Sequence, residues 1–145
     1  MNSSGGQSIS PLQWPKACKT RLGKFLMGMP LIGPDRQAYK LFRKQISERP
    51  SSYIDAWSDN AYIIPLRNEL AACIVKPMDW PCDKFLPNDP CDIIFFDDYL
   101  EFSSGCCLVD IEKKYKLCIP VGELSKWTFL EFITHIHHNM KLKNS

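Results

Sequence analysis

Residues 111–136 constrain the fold of this chain more than any other part of the sequence. They read IEKKYKLCIPVGELSKWTFLEFITHI: a charged amphipathic segment ending at Tyr115, a connection containing Ile119-Pro120, and an aromatic segment. Apolar residues recur every three or four positions in both segments, a spacing that indicates helices with one buried face. Because a lone helix cannot bury such a face, the stretch predicts helices packed on one another.

The aromatic segment carries signals for the start of a helix. Ser125 is a good N-cap, and the alternative is a capping box formed by Thr128 and Glu131. The apolar stripe expected along this last helix consists of Phe129, Phe132, Ile133, Ile136 and Met140.

Further helices are expected upstream. Asp35 begins one, Pro65 occupies the first turn of another that Pro77 stops, and residues 104–115 form a third. Residues 78–90, MDWPCDKFLPNDP, contain three prolines and predict a long irregular loop. The predicted fold class is all-α: a small helical bundle with an N-terminal helical extension and a long irregular loop.

Composition divides the chain into three parts. Residues 1–15 are rich in Ser, Gly, Gln and Pro and are expected to be a disordered tail. Residues 16–58 form a basic helical extension, since residues 16–49 hold nine Lys/Arg against two Asp/Glu. Residues 59–141 form the main helical domain.

The second half of this domain resembles acyl carrier proteins. That family places a helix of the type L-E-E-x-F/Y before an I-P turn, followed by a short third helix and a closing helix. Here Ile111-Glu112-Lys113-Lys114-Tyr115 and Ile119-Pro120 stand in those places, and residues 128–136 match the closing helix. The resemblance covers roughly residues 60–140 and implies an acyl-carrier-like domain. The chain is also similar to small bacterial proteins that share W-P, F-x-P-x-D-P and this closing half, a family that implies no function.

The prosthetic-group attachment motif of the carrier family is missing. The modified serine of that family sits in an Asp-Ser-Leu triplet, but Glu101 occupies the aligned position in this chain. Ser103 and Ser104 follow two and three residues later. The resemblance therefore implies either a chain without a cofactor or a divergent acyl or peptidyl carrier with phosphopantetheine on Ser103 or Ser104. Otherwise these serines are N-caps.

The preferred interpretation is a non-enzymatic protein-interaction module. A helix over residues 35–47 is expected to dock its apolar stripe on the main domain or on a second copy, which would make a homodimer. That stripe consists of Ala38, Leu41, Phe42 and Ile46. The basic row beside it, expected to meet an unknown protein partner, consists of Arg36, Lys40, Arg43 and Lys44.

Other classes of function are disfavoured by the sequence. No apolar run approaches the roughly 18–20 residues that span a bilayer, and no signal-peptide pattern is present, so a cytoplasmic location is expected. No groove-reading motif points to nucleic acid. The seven cysteines lack a paired C-x2–4-C knuckle, so they predict reduced thiols and no metal site, although the role of Cys106-Cys107 stays open. The acidic run is expected to be a solvated rim; it comprises Asp89, Asp92, Asp97, Asp98 and Glu101.

Overall fold

The architecture is all-α, as the sequence predicted. A computed structural model describes residues 9–15, 33–96 and 103–143. Within these ranges the helices are α1 (Gly33–Glu48), a 3₁₀ segment (Ser51–Ile63), α2 (Ile64–Val75), α3 (Cys91–Ile94), α4 (Ser103–Tyr115), α5 (Val121–Leu124) and α6 (Phe129–Lys143). The described residues form no sheet, and Pro90 and Thr128 make an isolated antiparallel bridge.

The start of α6 is the capping box that the sequence predicted. The Thr128 backbone N–H donates to Glu131 Oε1 at 3.0 Å, and the Glu131 N–H donates to Thr128 Oγ1 at 3.3 Å. Ser125, the alternative cap, ends α5 instead. The expected stripe is confirmed, because its first four members are fully buried and Met140 packs at the edge of the core.

A residue with left-handed backbone closes the turn that follows each of the helices α2 and α4. Asp79 has φ 58°, and Trp80 N–H donates back to the Val75 carbonyl at 2.9 Å. Lys116 has φ 55°, and Leu117 N–H donates to the Glu112 carbonyl at 3.1 Å. Both are Schellman caps, which close a helix by satisfying its last carbonyls.

The basic helical extension shares the core of the main domain. Ala38, Phe42 and Ile46 of α1 belong to one apolar cluster that runs on through α2, α4 and α6, so the prediction that this helix docks on the rest of the chain is confirmed. Leu41 was placed in the same stripe, but it is 40% exposed and lies outside the core. Residues 16–32 lie outside the described part of the chain.

The segment around Trp57 and the loop over residues 78–90 are held by side chains that bond to main-chain carbonyls. The segment around Trp57 forms 3₁₀ turns kinked at Asn60, and the Trp57 indole N–H donates to the Phe85 carbonyl at 3.0 Å. The predicted irregular loop over residues 78–90 is confirmed. The buried Arg67 guanidinium also donates to carbonyls in this loop, those of Asp83 and Phe85.

The prediction of a disordered tail is wrong for residues 9–15. Leu12 is 1% exposed, and Trp14 packs against the apolar core. The Ser/Gly composition of residues 1–8 dominated that prediction, whereas the apolar side chains and prolines that follow supply buried surface. Residues 1–8 themselves lie outside the described part.

Candidate peptide-binding groove

A buried Arg49–Asp89 ion pair organises the most elaborate polar site among the described residues. Arg49 Nη1 lies 2.6 Å from Asp89 Oδ2, and Arg49 Nη2 lies 2.8 Å from Asp89 Oδ1, so the pair is bidentate. The side chains are 4% and 0% exposed. A buried ion pair is tolerable only when its remaining donors and acceptors are satisfied, and both residues meet this condition.

Asp89 is fixed by the turn in which it sits. Its carboxylate accepts the Leu86 N–H at 2.7 Å, and its own N–H donates to the Leu86 carbonyl at 3.2 Å. The Asp89 carbonyl accepts the N–H of Phe129, the first residue of α6, at 2.8 Å. The expected solvated rim is therefore wrong at Asp89, which instead joins the loop to α6.

Arg49 stands directly after α1 and joins this helix to the same loop. Its Nη1 also donates to the Lys84 carbonyl at 2.9 Å, and Lys84 Nζ donates back to the Arg49 carbonyl at 2.7 Å. Pro50 follows, and a residue before proline avoids helical backbone, which ends α1 at this point. The ion pair thus joins α1, the loop and α6.

Residues 9–15, here called the strap, complete the hydrogen bonds of this pair. The Leu12 N–H donates to Asp89 Oδ1 at 2.9 Å, and Arg49 Nη2 donates to the Ser10 carbonyl at 3.0 Å. The Arg49–Asp89 pair therefore hydrogen-bonds to both a main-chain donor and a main-chain acceptor of the strap. Beside the strap lies a cavity of about 340 Å³, which is lined by residues 9–11 and by residues 45 and 48–50.

The second anchor of the strap is Trp14. Its ring packs edge-on against Phe42 of α1 at 5.3 Å and against Phe96 at 5.1 Å between ring centroids. Its indole N–H donates to Asp92 Oδ2 at 2.9 Å. The surface that receives the strap, here called the groove, therefore consists of Phe42, Arg49, Asp89, Asp92 and Phe96.

The residues of the basic row predicted to meet a partner differ in exposure. Lys40 and Lys44 are exposed on α1, and the side chain of Arg36 lies outside the described part. Arg43 is only 9% exposed, so its placement in the surface row is wrong. Its guanidinium lies 4.1 Å from the Trp80 ring centroid and donates to the Met78 carbonyl at 2.6 Å.

The predicted attachment serines stand at the start of α4. Ser103 is the first residue of this helix and Ser104 the second. Their side chains lie outside the described part, as does Glu101. Neither serine belongs to the groove, which α1, the strap and residues 89–96 form.

A second polar cluster lies between α2 and α4. Tyr115 donates its hydroxyl to Glu69 Oε1 at 2.7 Å, and Lys114 Nζ lies 3.3 Å from the same oxygen and 3.9 Å from Cys73 Sγ. The Tyr115 hydrogen bond lowers the pKa of Glu69, and burial raises the pKa of Tyr115. These groups stabilise each other's charge states and tie two helices together.

The buried thiols lie apart from this cluster or at its edge. Burial raises the pKa of Cys91, and it raises that of Cys107 to about 12. A thiol of this kind is a weak nucleophile at neutral pH, because the reactive form is the thiolate. Over residues 9–15, 33–96 and 103–143, no group of three or more His, Cys, Asp or Glu side chains is placed to hold a metal ion.

Sequence reasoning predicted the burial of Phe42 but missed the other residues that form the groove. The sequence predicted Asp89 as a surface acid and Trp14 as part of a tail, and it assigned no binding role to Arg49. A signal for Asp89 was present in the pattern F-x-P-x-D-P, where prolines on both sides hold an aspartate in a fixed turn. Nothing comparable marks Arg49 or Trp14, whose partners are distant in sequence.

Comparisons with known proteins give no match to this chain. No family model, no curated protein and no solved structure is similar to it. None of the described helices has the length and apolar character to cross a bilayer.

Proposed function

We propose that the protein is a non-enzymatic, cytoplasmic protein-interaction module that binds a short peptide segment of a partner in the groove. In this chain the strap occupies the groove as an internal ligand. A partner segment would take the place of the strap. The basic side chains Lys40 and Lys44 lie on the same helix that forms one wall of the groove and would add long-range attraction to an acidic partner.

The observation that carries the proposal is the way the groove holds the strap. A main-chain donor, a main-chain acceptor and the Trp14 side chain are bound by groups at positions 42, 49, 89, 92 and 96, and the Leu12 side chain is buried in the apolar core. Peptide-recognition sites use this combination: main-chain hydrogen bonds supply affinity, and side-chain pockets supply specificity. The helices behind the groove pack on one another through the same apolar core that receives Leu12 and Trp14.

The strap reduces the apparent affinity for any partner. A ligand tethered to its own site acts at an effective concentration in the millimolar range for short flexible connections. A partner segment with the same contacts therefore competes poorly unless the strap is weakened. This expectation gives the test its design.

The test replaces Leu12 and Trp14 with alanine in the full chain, which weakens the strap and leaves every groove residue intact. A synthetic peptide of residues 9–15 is then titrated into the variant and followed by calorimetry. We expect the peptide to bind the variant at least tenfold more tightly than it binds the unaltered chain. The matched control replaces Val109 and Leu142, which are 45% and 59% exposed, and should leave peptide binding unchanged. A folded Leu12/Trp14 variant that does not bind the peptide would refute the proposal.

A further inference from the structure

We infer that the partner segment carries an apolar residue with a free main-chain N–H, followed two positions later by tryptophan. The inference rests on the proposed function and specifies the chemistry of the ligand. It is drawn from the contacts that the groove makes with the strap at positions 12 and 14.

Position 12 requires an apolar residue other than proline. The Leu12 side chain is 1% exposed. A polar side chain at this position would give up its hydrogen bonds to water and would find no hydrogen-bond partner among the described residues in exchange. Its N–H donates to Asp89 Oδ1 at 2.9 Å, and Arg49 Nη2 donates to the Ser10 carbonyl. Proline has no N–H and would leave one lone pair of a buried carboxylate without its donor.

Position 14 requires tryptophan because of Asp92. The indole N–H donates to Asp92 Oδ2, and among the described residues the buried Oδ1 atom of the same carboxylate has no hydrogen-bond partner. Trp14 is therefore a principal donor to this carboxylate. Phenylalanine would fill the space between Phe42 and Phe96 but would leave Asp92 without the indole N–H. A site that hydrogen-bonds its ligand discriminates strongly against an analogue that lacks the donor.

The groove does not select the residue between the two anchors. Gln13 is exposed, and any side chain is acceptable there. The spacing between the two anchor residues of the ligand is fixed by the positions of their acceptors. Asp89 is held in the loop turn, and Asp92 is held in the first turn of α3. The selected pattern is thus apolar-x-tryptophan.

The test uses the full chain with Leu12 and Trp14 replaced by alanine and four peptides of residues 9–15. We expect the parent peptide to bind, the Trp14→Phe peptide to bind about 10- to 100-fold more weakly, the Leu12→Pro peptide to show no measurable binding, and the Gln13→Ala peptide to bind like the parent. In a chain that also carries Asp92→Ala, which removes the acceptor of the indole N–H, the preference for tryptophan over phenylalanine should fall at least fivefold.

Equal binding of the tryptophan and phenylalanine peptides would overturn this inference and leave the proposed function standing. Absence of binding by all four peptides to a folded chain would refute the proposed function itself. A milder variant keeps the inference testable if the double variant does not fold. In the full chain with Trp14→Phe, hydrogen exchange at the Leu12 amide should accelerate at least tenfold, because strap opening becomes easier. Unchanged exchange would overturn the role of Asp92.

Discussion

Replacing Asp89 with asparagine should be among the most damaging single changes in this protein. The amide is nearly the same size as the carboxylate but removes the charge that faces Arg49, whose side chain is 4% exposed. Breaking a buried ion pair from one side costs about 3–5 kcal/mol, because the remaining charge stays buried without compensation. Asparagine also loses an acceptor for one of the two N–H groups, of Leu12 and Leu86, that the carboxylate binds.

The matched control is the second Arg–Asp pair. Asp83 lies 3.4 Å from Arg67, but its side chain is 47% exposed. Water screens such a pair, so Asp83→Asn should cost less than about 1 kcal/mol. Urea unfolding followed by far-ultraviolet circular dichroism measures both free energies of unfolding. If Asp89→Asn proves no more destabilising than Asp83→Asn, the ion pair does not organise the fold and the reasoning above fails.

Three further outcomes follow from the core, the second polar cluster and the serines. Ile111→Ala should lower the free energy of unfolding by about 2–5 kcal/mol, since Ile111 is fully buried and leaves a cavity; a loss below half of one kcal/mol in urea titrations would contradict its place in the core. Tyr115→Phe should raise the pKa of Glu69 toward 4.5, measured by NMR titration of the carboxyl carbon. Because a lowered folded-state pKa stabilises above the unfolded value and this stabilisation is lost as pH falls, the variant should lose more stability at pH 7 than at pH 3; an equal loss would contradict the linkage. Intact mass after co-expression with a phosphopantetheinyl transferase should be unchanged, and a gain of one phosphopantetheine arm would show that Ser103 or Ser104 is a carrier site.

Local patterns predicted the helices because the relevant interactions are local. The capping box of α6 joins residues three apart, and the apolar stripe on α6 depends only on spacing along one helix. Both signals are independent of how the rest of the chain packs. Even Arg67 lay within reach of this reasoning, since it shares a face of α2 with Leu70 and Ile74, which are buried like it.

The groove was beyond local patterns because its contacts are distant in sequence. Arg49 and Asp89 are 40 positions apart, and the rules of helical periodicity assign neither of them to a core. Composition misled in the same way at residues 9–15, where a polar start outweighed Leu12 and Trp14. Whether an arginine is buried depends on the acceptors that the fold brings to it, and those are known only once the helices are packed.

The long sequence separations between the strap and its partners also bear on the order in which parts of the chain fold. Ser10, Leu12 and Trp14 are held by residues 39, 77 and 78 positions further along the chain. Closing such loops costs entropy that is recovered only after the helices supplying the other side have met. We therefore expect the strap to dock after the helices during folding and to open before the core in the native protein. Such a chain would show two levels of cooperativity: a helical core that melts as a unit, and a short segment that opens and closes on it before the core unfolds.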